Sequence, residues 1–170
     1  PRAEEPGKGS PPLADCMAHL DRSYRFGDDS GILHAVNIRT SKMAWTYKTE
    51  GEIISSPNCV GDRILFGSYD GFLYCLNAGS GELMWKFETE GRVHGTPGVT
   101  GDHVLVAGCD ERLRVVRLSD GKPVGEVEMG SFSGASAAVV GNRVFAGTFG
   151  NQVLGIDWSG RSIAWTYEDL

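Results

Sequence analysis

Shifting the sequence by forty residues lays it on itself without a gap, and no other feature limits the possible folds so sharply. Gly51 meets Gly91, Pro57 meets Pro97, and Gly61 meets Gly101 and Gly141. Leu33 meets Leu73, Leu113 and Val153, while Trp45 meets Trp85 and, two periods later, Trp165. The phrase GSYDGFLYCLNAGSGELMWKF, residues 67–87, is echoed by GDDSGILHAVNIRTSKMAWTY from Gly27 and by GTFGNQVLGIDWSGRSIAWTY from Gly147. Each residue must therefore be weighed first for its place in a repeated unit.

Inside a unit the apolar residues alternate or cluster in short runs broken by Gly, Asp, Asn or Ser, which is strand spacing and not helical spacing. In the second unit this predicts strands at residues 53–60, 63–68, 72–77 and 82–89. The pairs Gly61-Asp62 and Asp70-Gly71 suit hairpin turns, since Gly, Asn and Asp reach positive φ at least cost. Four antiparallel strands in about forty residues, repeated, make a β-propeller blade. The expected fold is all-β, with four four-stranded antiparallel blades at residues 13–50, 53–90, 93–130 and 133–170 after a flexible tail at residues 1–12.

Composition narrows the function. A chain of 170 residues that is 41% hydrophobic can bury a core, and its 24 glycines exceed the ~7% of an average protein because turns recur. A net charge of −6 opposes a nucleic-acid or anionic-membrane surface. No apolar run nears the roughly 18 residues of a membrane span. The opening PRAEEPGKGSPP has the Pro, Gly and charge of a flexible or processed tail, with no signal peptide, and is silent on localisation. Cys16, Cys59, Cys75 and Cys109 lack CxxC and CxxCH spacing, so they are expected to be structural thiols, in a disulfide state left open.

Candidate chemistry fares poorly. Asp28, Asp29, Asp70 and Asp110 fall at or beside the same turn of successive units, where they serve turn geometry and not a convergent cation site. His19, His34, His94 and His103 occupy four different places in the repeat. Ser55 and Ser56, like Gly95 and Thr96 or Ala135 and Ser136, read as small residues allowing close approach near the axis, and no Ser has a recognisable His and acidic partner. No catalytic, metal-binding or cofactor-binding residue is assigned.

The stretch CLNAGSGELMW, Cys75 to Trp85, resembles the AxDxxTGxxxW signature of the pyrroloquinoline-quinone-type propeller repeat, with Asn77 at the Asp place, Ser80 and Gly81 as the TG, and Trp85 closing. AVNIRTSKMAW, Ala35 to Trp45, is similar but has Ser41 at the Gly place. The fourth unit keeps Asp157 and Trp165 while Gly155, Gly160 and Arg161 depart; the third keeps Gly121 but has Gly125 where Trp is usual. The resemblance implies that Trp45, Trp85 and Trp165, with Gly81 and Gly121, are blade-seam residues, each indole packing across to the next blade. It also implies that Gly125 leaves blade three the loosest unless the space is refilled.

Dehydrogenases of that superfamily use a calcium or lanthanide site, a catalytic Asp and adjacent cysteines, and no CC pair exists here. The resemblance therefore implies a non-catalytic scaffold without cofactor, for protein–protein or ligand binding, akin to the lipoprotein of the outer-membrane barrel-assembly machinery and outside the cytoplasm. The alternative is a fragment or half of a quinoprotein dehydrogenase whose cofactor residues lie elsewhere. Such propellers typically have eight blades, so four blades make half a ring. Its two end faces, expected to include Ile32, Val36 and Met43 on blade one and Val153, Ile156 and Ile163 on blade four, need a cover. A protein partner or a second copy would supply it, the latter as a homodimer closing an eight-bladed ring; a longer chain or a tight four-bladed ring are the other solutions.

Overall fold

The computed structural model describes residues 23–168, which form fifteen strands in antiparallel sheets and contain no helix. Blade one holds β1 (Ser23–Gly27), β2 (Ile32–Asn37) and β3 (Lys42–Lys48). Blade two holds β4 (Asn58–Val60), β5 (Arg63–Gly67), β6 (Phe72–Asn77) and β7 (Leu83–Glu88). Blade three holds β8 (Gly98–Thr100), β9 (His103–Ala107), β10 (Arg112–Arg117) and β11 (Pro123–Glu128). Blade four holds β12 (Ala138–Val140), β13 (Arg143–Gly147), β14 (Gln152–Asp157) and β15 (Ser162–Glu168). Strands pair in chain order within each sheet. The fourth strand expected for blade one falls outside the described residues.

The turns follow the residues that make them. Gly61, Gly101 and Gly141 hold φ of 58, 56 and 58° between the first two strands of their blades. After β6, Asn77 Oδ1 accepts the amides of Gly79 and Ser80 at 2.9 and 3.0 Å, and Gly81 then turns the chain with φ 74°. Asn37 and Asp157 cap the same turn in blades one and four. Each outer strand also carries a bulge at the same register, beside Ala35, Cys75, Val115 and Gly155.

The first strand of each complete blade is shorter than the expected residues 53–60, because the residues ahead of it bond to neighbouring loops instead. Ile53 N donates to Asp28 O at 3.0 Å, and Glu52 O accepts Tyr69 N at 2.9 Å. Those groups belong to the link between blades and not to a ladder.

Alternation gives each inner blade two partners. In β6, Leu73 and Cys75 are buried against Val93, Val104 and Val106 of blade three, while Tyr74 and Leu76 are buried with Leu33 of blade one. In β10, Leu113 and Val115 join Val144, Leu154 and Ile156 of blade four. The apolar cores thus lie in the seams between sheets. This corrects one expectation about the end face. Ile156 is fully buried against blade three, because it stands three places from Val153 on one strand and so points the opposite way. Ile163, paired opposite Ile156, shares that side.

Candidate binding surface

Seam geometry begins with the outer strand. Trp45 on β3 reaches over the turn of blade two, where its Nε1 donates to Ala78 O at 3.3 Å. A methyl group on Gly81 would sit 2.6 Å from the Trp45 ring. Trp85 on β7 repeats this on blade three, donating to Leu118 O at 2.9 Å, with a methyl on Gly121 falling 2.6 Å from its ring. Gly81 and Gly121 are glycine for two reasons at once, positive φ and an indole face in contact.

The third seam is built the other way round. Blade three has Gly125 where the indole would be, and Arg161 of blade four fills the space: a methyl on Gly125 would lie 2.9 Å from Arg161 Nε, and Arg161 Nη2 donates to Val124 O at 2.9 Å. Arg161 holds φ 53° at the place of Gly81 and Gly121. Trp158 adds an indole against the same core and donates to Gly141 O. The space opposite Gly125 is therefore refilled, which removes the reason for expecting blade three to be loose. Sequence reasoning noted Gly125 and Arg161 as separate departures; the missed signal was that they stand at the two facing places of one seam.

Trp165 has no following blade among the described residues. It is 46% exposed, against 8% for Trp85, and lies on its own sheet over Gly155. On the same face Val153 and its pairing partner Tyr167 are exposed, and the Phe145 ring packs beside the indole at 5.9 Å. At the other end, Tyr24, Phe26 and Met43 are exposed and Ile32 and Val36 half-buried, with Phe26 stacked on His34.

Three of the four turn carboxylates, Asp28, Asp70 and Asp110, are committed to structural contacts. Asp70 accepts from Tyr74 Oη at 2.7 Å and from the amides of Phe72 and Glu50. Burial and the adjoining Asp70 push the Tyr74 phenol well above its usual range. Asp110 pairs at 2.8 Å with Arg114, which also reaches Glu126 at 3.0 Å. Asp28 meets His34 at 2.7 Å, and that hydrogen bond, aided by the Ile32 amide, holds its carboxyl below the ordinary value of 3.8. Residues 34, 74, 114 and 154 are equivalent places filled by His, Tyr, Arg and Leu, a divergence that hydrophobic pattern alone does not forecast. Asp29 lines a polar cavity of about 290 Å³ with Glu50, Glu52, Tyr69 and Arg92.

A second cavity of about 320 Å³ is lined by His94, Gly134, Ala135, Gly147, Thr148 and Phe149, with His94 Nδ1 held 2.6 Å from Tyr69 Oη. Among the described residues no three His, Cys, Asp or Glu side chains converge as a cation site. Cys75 and Cys109 are free thiols, and burial pushes Cys75 up to about 12. Ser55 Oγ accepts the Gly67 amide at 3.1 Å, and a methyl on Gly95 would meet Ala135 O at 2.5 Å. No helix among the described residues is long and apolar enough to cross a membrane.

The model of the family described as outer membrane protein assembly factor BamB matches residues 29–168. Among solved structures, that of BamB from Moraxella catarrhalis aligns with a TM-score of 0.75 and 22% sequence identity, over 86% of this chain and 46% of that one. This chain thus spans about half the length of that relative, and at such identity the likeness concerns the fold. No curated protein matches it significantly.

Proposed function

The chain belongs to the PQQ-like propeller family described as outer membrane protein assembly factor BamB, and from that premise we propose that it is a non-catalytic scaffold that binds protein. The observation that carries this reading is the contrast between its two kinds of surface. Turn carboxylates that could have formed a reactive cluster are spent on Tyr74, Arg114, His34 and backbone amides. Blade four, in contrast, presents Val153, Trp165 and Tyr167 to solvent, an apolar face of the kind that protein partners cover. The scaffold works outside the cytoplasm, as kinship with an outer-membrane assembly factor suggests, and its end faces are met by more propeller, from a second copy or from a longer chain.

Reconstitution with pyrroloquinoline quinone and calcium, followed by dye reduction with alcohol and sugar donors, tests the reading against the quinoprotein alternative. No turnover above the protein-free blank is expected. Saturable, quinone-dependent dye reduction would overturn the scaffold.

A further inference from the structure

One turn carboxylate, Asp29, is left without a structural task. In that first turn it is Asp28 that accepts from the Ile32 amide and meets His34. The equivalent places in the other three blades hold Tyr69, Cys109 and Phe149, so the turn forms without an acid there. Glu52 is no more demanded by the fold, because its places in the next two links hold Arg92 and Phe132. Glu90, at the place of Glu50, meets Arg114 at 3.7 Å, whereas the corresponding partner of Glu50 is Tyr74, which carries no charge. Three carboxylates that the repeat does not need therefore line one cavity at the first seam.

The opposite charge in that cavity is Arg92, from the link between β7 and β8. Its guanidinium lies over the Tyr69 ring, 5.1 Å from the centroid, and the Tyr69 hydroxyl is held 2.6 Å from His94 Nδ1. The Tyr69 amide also donates to Glu52 O at 2.9 Å, so both ends of the platform under Arg92 are fixed. Yet among the described residues no carboxylate comes within 4.0 Å of Arg92, and no cation comes that near to Asp29, Glu50 or Glu52. Unneutralised groups of both signs thus line one hollow of about 290 Å³ without touching, a size near the lower end of small-ligand sites.

We propose that this cavity binds a free basic amino acid, its carboxylate on Arg92 and its two cationic ends on Asp29, Glu50 and Glu52. Charge sets the class. Three carboxylates against one guanidinium leave negative charge in excess, so a ligand with one anion and two cations matches the site better than a neutral zwitterion or a dicarboxylate. Stacking on Tyr69 holds Arg92 away from those carboxylates and leaves its planar fork available to a ligand carboxylate. The ligand thereby bridges two sets of charges that the fold keeps apart. The proposal goes beyond the protein-binding reading and stands on different residues.

Isothermal titration calorimetry of the wild-type chain at low salt tests it with four probes. These are L-lysine; cadaverine, which lacks the carboxylate; norleucine, which lacks the side-chain cation; and Gly-Gly-Lys, which moves the ammonium away from the carboxylate. L-lysine is expected to saturate one site, with cadaverine and norleucine at least about tenfold weaker, each having lost one charge-assisted contact. Arg92→Gln, its folding checked by a circular-dichroism melt, is expected to bring L-lysine down to the level of cadaverine while cadaverine binding is unchanged. Absence of saturable L-lysine binding up to about 10 mM, or equal binding of L-lysine and cadaverine, would overturn the proposal. Tighter binding of Gly-Gly-Lys than of L-lysine would overturn the free amino acid as the ligand. The probe comparison needs no variant, so misfolding cannot conceal a failure, and neither result bears on quinone chemistry or on the protein-binding reading.

Discussion

Replacing Gly121 by Ala isolates the energy of one seam. Gly121 is buried, holds φ 70°, and would bring a methyl to 2.6 Å from Trp85 Cε3 and 2.7 Å from Cδ2. Left-handed backbone costs a residue with a Cβ about 1–2 kcal/mol. Pushing the indole aside adds an overpacking term of about 1–3 kcal/mol. The Trp85 bond to Leu118 O, 2.9 Å long, is stretched with it, a further loss of about 1 kcal/mol. Since the last two terms overlap, the total is about 2–5 kcal/mol. Gly101→Ala is the internal control: it holds φ 56° with nothing within 4 Å, so only the backbone term of about 1–2 kcal/mol applies. Urea unfolding followed by far-ultraviolet circular dichroism measures both. If the two variants lose the same stability to within about 0.5 kcal/mol, the indole does not hold the seam and the reasoning fails.

Other outcomes follow from the third seam and from acid titration. Gly125→Trp, which restores the indole of the repeat, should destabilise by about 1–3 kcal/mol because Arg161 already fills the space, whereas Gly125→Trp/Arg161→Gly should recover most of the loss; thermal melts of both decide it, and a neutral single variant would refute the exchange. The His34 hydrogen bond lowers the folded-state pKa of Asp28, so its contribution is present above the ordinary 3.8 and is lost as pH falls through the lower folded value. Melting temperatures from about pH 5 to pH 2 should therefore fall less steeply for Asp28→Asn than for wild type, and parallel curves would contradict the pairing.

Much of this architecture was legible because a forty-residue period repeats the same local physics. Asn77, Gly81 and Trp85 mark a turn and an outer strand before any coordinate is known, and β6 falls on residues 72–77 as the alternation predicts. What failed was orientation and exchange. Apolar character alone sets Ile156 on the open face with Val153, although strand parity puts them on opposite sides. The Gly125 and Arg161 exchange was hidden because each departs from the repeat in a different unit, and only their juxtaposition makes one compensate the other. The pairing of Asp28 with His34 was hidden for a similar reason: Asp70 and Asp110 have equivalents at Ser30, so blade one recruits its carboxylate from two residues earlier.

The apolar cores of the described chain lie between sheets, one in each of three seams joining four blades. Stability in such a row grows with junctions and not with modules, so a row standing open always holds one junction fewer than it holds blades. Bringing its two ends against suitable faces adds a junction without lengthening the polypeptide. Removing a terminal blade does the reverse: the loss of blade four would strip one side from Leu113 and Val115 and leave blade three with the exposed end. Length variation in a chain of this kind moves its sticky end from blade to blade and does not abolish it, and only closure into a ring brings the number of unmatched faces to zero.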